Sequence, residues 1–449
     1  MDAHPIEKGI GIKTYSTQIS GIGGNLRTKI EDFFVEEITS EGKIIKRLNK
    51  TDLNLEDLPN NRFTYNLVLE KYNEETLRAI RRLATFLQIP LRNVGFAGVK
   101  DKRAITVQQI SISGADPKLL TTFQSKSSYL NRIRPGRPIR LGNLNGNHFQ
   151  ITVRHIHDSY DVIQQRLQQI KHAILSSYIP NYYGPQRFGA LRPISHNIGK
   201  VLLFDDYEAA LKIYLTTTFP QENKQIQDIR TSLQDSWPHA DLTFPKGFFY
   251  ENKIIQYLKE NNLKFKKIFK NLFPFRFILF FLHAYQSYLF NKLLTARISA
   301  NLSLDQAFEG DYVALSDLYS LPSKVIYEVN SKNIISLNNA INKGKAIVMA
   351  PLFGYNFNYS HHPLLDDINQ LLDEENLDLS HFKSSSNEKL HLKGSYRPIC
   401  FRPRAFNIEL NQSSNDYQNM NVKFTFSLNK GCYATLLLRE FMKTSPLNY

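Results

Sequence analysis

Residues 93–114, NVGFAGVKDKRAITVQQISISG, read as strand, polar turn, strand, punctuated by Gly95, Gly98 and Gly114. The turn carries Lys100, Asp101, Lys102 and Arg103 at its tip. Asp101 is the only acid between Ala79 and Ala115. Cations on either side favour the charged form of a carboxylate. Such a group in a glycine-flanked turn suits a nucleophile or base acting on an RNA backbone or sugar. A charged hairpin tip is the plainer alternative, because lysine-flanked acids are common on surfaces.

Upstream, IEDFFVEEI (Ile30 to Ile38) reads as a strand or turn-strand. RFTYNLVLEKY (Arg62 to Tyr72) places Phe63, Tyr65, Leu67 and Leu69 on one face of a half-buried strand. A helix is expected next. Asn73 can cap it, and Leu77, Ile80, Leu83, Ala84 and Leu87 form its apolar stripe before Pro90. Downstream, LGNLNGNHFQITVRHI (Leu141 to Ile156) is a turn and strand, followed by a helix over about 160–177. From about 205 to 390 the chain becomes richer in helices, Asn and Lys. It includes an acidic run, LLDDINQLLDEENLDL, and a Ser-rich FKSSSNEK. Strand-like FNIEL and VKFTFSL then return before a helix, YATLLLREFMK. A β texture at both ends of a different middle predicts one catalytic domain interrupted by an insertion.

The chain has 449 residues with a formal net charge of +15, is 42% hydrophobic and 12% aromatic, and so is not a disordered chain. The charge makes a polyanion such as nucleic acid the leading partner. Cys400 and Cys432 are too few for a disulfide scaffold and read as small core residues. The first residues lack the apolar core of a signal peptide. FILFFL (Phe277 to Leu282) is too short to span a membrane and reads as part of a buried helix. No phosphate loop, GxGxxG or GxSxG is present. His361, His362, His381 and His391 lack metal-ligand spacing and read as surface histidines.

NYYGPQRFG (Asn181 to Gly189) sets aromatics, amides and an arginine between glycines. It could stack on a flipped base and read its edge, or be a structural corner. RIRPGRPIR (Arg132 to Arg140) and LKFKKIFK (Leu263 to Lys270) could contact phosphates, although the second could be an ordinary amphipathic helix with a solvated lysine face.

Together these pieces resemble the TruD family of pseudouridine synthases. The resemblance rests on an ordered series: GGNLRTKIEDFFVEEI, LEKYNEETLRAI, GFAGVKDKRAITVQ, LGNLNGNHFQITVR, NYYGPQRFG, LRPISHNIGK, GSYRP and LNKGCYATLLLREFMK. It implies an α+β fold: a catalytic core with a largely antiparallel mixed sheet at 1–180 and 393–449, split by an α/β TRUD-type insertion domain at 181–392. It implies isomerisation of uridine to pseudouridine in tRNA, most readily at position 13, without metal or organic cofactor and without an obligate protein partner. Position 35 of a tyrosine tRNA is a further target of such enzymes. The family's catalytic aspartate falls on Asp101, its stacking aromatic on Tyr183 and its asparagine on Asn181. Arg27 occupies a basic position where lysine is common. Arg27, Lys100, Arg187, Arg132, Arg134 and Lys266 are the expected RNA contacts. A cytoplasmic location is expected, with a nuclear one open if the source is eukaryotic. The competing classes are a non-catalytic RNA-binding protein on the same fold and an RNA methyltransferase, the latter without a visible glycine-rich cofactor loop.

Overall fold

The computed structural model describes residues 1–47, 64–123, 125–239, 242–260, 263–383, 388–413 and 416–449. Arg62, Phe63 and the centre of the Ser-rich segment lie outside them. The chain builds two main sheets. The larger holds β1 (Phe33–Thr39), β2 (Thr64–Tyr72), β3 (Val94–Phe96), β4 (Ile105–Ser113), β5 (Ser128–Gly136) and β6 (Leu144–Ile156). After β7 (Ile179–Pro180), β8 (Tyr312–Ser316), β9 (Pro322–Glu328), β10 (Ala346–Leu352) and β11 (Ser395–Pro398) make the smaller, four-stranded sheet. β12 (Cys400–Phe401) leads to β13 (Arg404–Ser413) and β14 (Asp416–Asn429), which complete the large sheet. Its order is β13-β14-β6-β1-β4-β2-β5, with β3 also on β4. Among the described residues only the β1–β4 pairing of this sheet is parallel, so the sheet is largely antiparallel and mixed, as expected.

Alternation explains β2. Tyr65, Leu67 and Leu69 are each 1% exposed and pack under the helix Thr76–Phe86 with Ile80, Leu83 and Leu87. The helix begins two residues later than expected. Asn73 adopts φ +47° and is a turn residue, and Glu75 is the cap position. β5 is an edge strand. A bulge places Arg132 at φ +48°, and Arg132 and Arg134 point to solvent. Charged, bulged edges of this kind resist pairing with other chains.

The chain leaves the large sheet at β7 and returns at β12, and these two strands pair, Cys400 opposite Pro180. Both ends of the intervening segment are therefore hydrogen-bonded to each other. Within it, the helix Phe275–Ser299 is central. The helix over Ser195–Leu203 crosses it closely at Gly199, where a Cβ would sit 2.0 Å from the Phe281 carbonyl oxygen. Ile278, Phe281 and Leu282 of the central helix are buried, whereas Phe277 and Phe280 are about 40% exposed, so the FILFFL stretch is a two-faced rather than fully buried helix. No helix among the described residues is long and apolar enough to cross a membrane. Cys400 is buried and Cys432 partly so. His362, read as a surface residue, is in fact buried, where its Nδ1 accepts from the Leu364 amide at 3.2 Å.

The two chain ends meet. The helix Ala434–Met442 is buried along its whole length, and its Arg439 donates to Glu7 at 2.7 and 3.1 Å and to Glu440 at 2.6 Å. Removing one member of a buried ionic cluster leaves uncompensated charge. Glu7→Ala should therefore cost about 3 kcal/mol of stability. An unchanged midpoint in urea unfolding would show that Arg439 finds enough compensation in Glu440 alone.

Candidate active site

β1 and β3 pair with the same edge of β4 but do not meet. β1 covers Ile105 to Val107 and β3 covers Ile110 to Ile112. The gap is closed by a side chain: Glu37 Oε1 accepts from the Gln109 amide at 3.2 Å. Over this gap folds the turn Gly98 to Arg103. Gln108 Nε2 holds its first carbonyl, on Gly98, at 3.1 Å. Lys100, only 6% exposed, sends its ammonium inward between Glu37 Oε2 and Asn147 Oδ1, both at 2.8 Å. Its backbone amide donates to Thr76 Oγ1 at 3.0 Å. Lys71, fully buried, donates to the carbonyl oxygen of Asp101 at 2.5 Å and of Lys100 at 3.4 Å. Burial lowers its pKa to about 8, and the charge of Asp101 opposes that shift.

Pinned from below, the turn leaves the Asp101 side chain about one-third exposed. Its Oδ1 accepts from Arg27 Nη2 at 2.8 Å. The Arg27 guanidinium lies 4.4 Å from the Phe33 ring centroid, and its backbone has φ +56°. The segment before it is set by Gly24, at φ +86°, where a Cβ would be 2.6 Å from Val153. On the other side of Arg27, Asp32 anchors the chain as it enters β1, accepting from Arg154 at 2.7 Å and from the Lys29 amide at 2.7 Å. The site thus holds a carboxylate that a ligand can reach and a cation fixed beside it, both on anchored backbone. Lys102 and Arg103 are exposed at the tip.

A second cluster forms at Asn181–Gly189. Tyr183 is partly buried, with Phe290 and Tyr433 set edgewise around it at 5.6 and 6.2 Å. Asn291 clamps its backbone, accepting from the Tyr183 amide at 2.8 Å and donating to its carbonyl at 2.9 Å. The ring lines a cavity of about 580 Å³ together with Arg187, His283, Gln286, Tyr355 and Lys393. Arg187 Nε donates to Ser287 Oγ at 3.1 Å. The clusters connect through β14: Lys100 touches Asn147, which pairs with Leu428, and the turn after β14 leads to Tyr433 against Tyr183.

Two expected contacts are placed elsewhere. Asn181 is 1% exposed, donates to the Pro398 carbonyl at 3.0 Å and accepts from Arg397 at 2.9 Å, so its amide is engaged inside the protein and does not face a ligand. Lys100 has its ammonium turned into the sheet rather than toward solvent. Both side chains make their contacts within the protein in this geometry. Lys266 lies on the exposed face of the helix Phe265–Leu272, whose Ile268 and Phe269 are buried. Its ammonium is 5.4 Å from the Tyr207 ring, beside Asp205, Asp206 and Glu208, so this lysine face is solvated and locally balanced by acids. Arg132 and Arg134 are displayed on the edge strand.

Lys71, Glu37 and Arg397 were not singled out by the sequence reading. For Lys71 a signal existed: it continues the inward alternation of Tyr65, Leu67 and Leu69, a position where lysine is out of place unless used. Among the described residues no group of three or more His, Cys, Asp or Glu could hold a metal ion.

The model of the family tRNA pseudouridine synthase D (TruD) matches residues 9–441. A protein of Methanococcoides burtonii named probable tRNA pseudouridine synthase D is 35% identical over 98% of both chains. One of the same name from Thermococcus sibiricus is 32% identical over 96% of this chain and 97% of its own. The crystal structure of a putative tRNA pseudouridine synthase D (TruD) from Methanosarcina mazei superposes with a TM-score of 0.81 at 31% identity, covering all of both chains.

The depressed pKa of Lys71 has a consequence for stability. Between about pH 8 and the unfolded value near 10.5, the unfolded chain holds a proton there that the folded protein has lost. The penalty of burying this charge is therefore constant below pH 8 and fades as pH rises to 10.5. Lys71→Met removes the group. Its stability relative to the parent should fall by on the order of 3 kcal/mol between pH 7.5 and 10.5. Urea unfolding at the two pH values measures this, and a constant difference would disprove the assignment.

Proposed function

The chain belongs to the TruD family of tRNA pseudouridine synthases and is an isomerase. From that premise we propose that it converts uridine to pseudouridine at position 13 of tRNA, with Asp101 as the group that acts on the sugar. The observation that carries this reading is the Arg27–Asp101 pair at 2.8 Å on a turn pinned over the gap in the sheet. Arg27 holds and aims the carboxylate, while a third of it stays open to a ligand.

The target nucleotide leaves the RNA stack and its base lies on Tyr183. Asp101 attacks the sugar carbon bearing the base, or removes the neighbouring 2′ proton. In either route the C1′–N1 bond breaks, the uracil turns, and C5 bonds to C1′ as the Asp101–C1′ bond breaks or, in the second route, as C2′ takes back its proton. The proton on C5 is lost and N1 regains one, so the reaction is redox-neutral and adds no mass. Water must be kept out, because hydrolysis of the intermediate would leave an abasic site. The cavity beside Tyr183, with Arg187 and Lys393 in its wall, supports RNA entry from that side. Arg132 and Arg134 on the edge strand are proposed phosphate contacts. Arg187 is proposed as an RNA contact at the cavity. Lys266 is a weaker one, given the acids beside it.

We also propose the division into a core at 1–180 and 393–449 and an insertion at 181–392. The pairing of β7 with β12 supports an exchange there, although β11, within the C-terminal piece of that core, pairs with β10 of the smaller sheet. The archaeal sources of the relatives support a cytoplasmic location.

Asp101→Asn should lower pseudouridine formation by at least about 10²–10⁴-fold while leaving tRNA affinity nearly intact. Pseudouridine mapping of total tRNA with both proteins tests this. Formation by the Asn variant would refute the role of Asp101, and a modified position other than 13 would refute the target. Tyr183→Ala should slow turnover in line with a lost stack of about 1–3 kcal/mol. Arg132→Ala should leave the single-turnover rate intact and reduce the salt slope of tRNA binding by about 1. An unaltered slope would remove it from the contacts.

A further inference from the structure

Four arginines among the described residues are less than a tenth exposed: Arg230, Arg297, Arg397 and Arg439. Three have carboxylate partners. Arg230 meets Glu222 at 3.0 Å, Arg297 meets Asp311 at 2.7 Å, and Arg439 meets Glu7 at 2.7 Å. Arg397, at 7% exposure, has none among the described residues. Its Nε donates to the Asn181 carbonyl at 3.1 Å, and its Nη2 to Asn181 Oδ1 at 2.9 Å and the Tyr182 carbonyl at 3.4 Å. These acceptors are neutral. They fix the guanidinium without cancelling its charge. Burying such a charge is costly, and the described residues around Arg397 leave it without a counter-charge.

The guanidinium carbon is 4.0 Å from the centroid of Tyr183, with Phe290 and Tyr433 farther off at 5.6 and 5.8 Å. Tyr183 lines the cavity with Arg187, whose guanidinium carbon is 5.9 Å from the same ring centroid, whereas Arg397 is buried and not part of that wall. An arginine that grips phosphate uses the forked edge of two nitrogens. Here that edge, Nε and Nη2, is spent on Asn181. The remaining Nη1 lies near Gly431, where a Cβ would be 3.7 Å away. The arrangement therefore suits charge held behind a stacking ring better than a bidentate phosphate grip.

We propose that Arg397 acts through Tyr183, as a positioning residue whose uncompensated charge stabilises the negative charge on uracil while it is detached from the sugar. The inference rests on the reading that uracil stacks on Tyr183. When C1′–N1 breaks, both electrons leave with the base, and the charge spreads over N1, O2 and O4. The pair is used again when C5 bonds to C1′, with loss of the C5 proton and protonation of N1. A cation on one face of the ring reduces the repulsion between its other face and an anion. The neutral uridine of the ground state gains less, so the effect belongs to the reacting state.

The test compares Arg397→Met and Arg397→Lys with the parent in single-turnover cleavage of the glycosidic bond. The substrates are tRNA with uridine or with 5-fluorouridine at the target, a base that carries negative charge more readily. Loss of a donor in direct contact with developing charge costs about 10²–10³-fold, so Met, acting through one ring, should cost about 10- to 100-fold. Affinity for tRNA should stay nearly unchanged, Lys should recover most of the rate, and the deficit of Met should shrink several-fold on 5-fluorouridine. A deficit equal for both bases, or not rescued by Lys, would overturn the proposal in favour of a packing role. A loss confined to affinity would overturn it in favour of a phosphate contact. Tyr183→Ala separates the two readings. If it reacts at the full rate, stacking itself is wrong. If it is slow while Arg397→Met is fast, stacking stands and the role of Arg397 falls.

Discussion

Two ammonium groups buried beneath one turn set the geometry of the whole candidate site. Lys71 and Lys100 hold the backbone of residues 98–103 against the sheet, one through carbonyl oxygens and one through Glu37 and Asn147. The turn needs this because β4 is only partly covered on the edge it shares with β1 and β3. A gap in a ladder exposes amide groups that must be satisfied. Glu37 serves one of them, on Gln109, and in the same stroke supplies the counter-charge for Lys100. The turn, the strand and the two lysines are therefore one structural unit, and Asp101 is carried on it.

Charge in this protein is distributed by depth. In the interior, Arg439, Arg297 and Arg230 are closed off by carboxylates, and Arg439 ties the two ends of the chain together. At the site the same type of pair is left open: Arg27 and Asp101 meet where solvent still reaches the carboxylate. Arg397 is the remaining case, held by neutral oxygens alone and laid on an aromatic ring. A single chain thus uses arginine as a structural clamp, as the companion of a reactive acid, and as a charge held in reserve. What differs among them is only what the surrounding fold brings within 4 Å.

Local pattern made much of the architecture legible. The alternation of Tyr65, Leu67 and Leu69, the turn-strand at Leu144–Ile156 and the returning strands after 400 all form elements close to the stretches where they were read. These depend on period and turn chemistry, which a sequence carries directly. Asn181 and Lys100 show the limit. Both lie in informative motifs, and both look like ligand contacts by residue type. Their side chains nevertheless turn inward, because remote segments supply their partners: hydrogen bonds with Pro398 and Arg397 for one, and the charge of Glu37 with a hydrogen bond to Asn147 for the other. Asn73 failed as a cap for a local reason: a left-handed residue there completes the turn out of β2 before the helix starts.

The sequence by itself determined the elements, the basic character of the chain, the ordered motifs that identify the family, and the one isolated acid at the tip of a basic turn. Those properties come from residue type and spacing along a single strand of polymer. Only the tertiary structure decided which cations stand beside that acid and which are consumed below it. It also decided that Arg397, far from Tyr183 along the chain, lies against its ring. Electrostatic roles depend on distance, burial and the presence or absence of a counter-ion. None of these is a property of one residue, and each exists only once the chain has closed on itself.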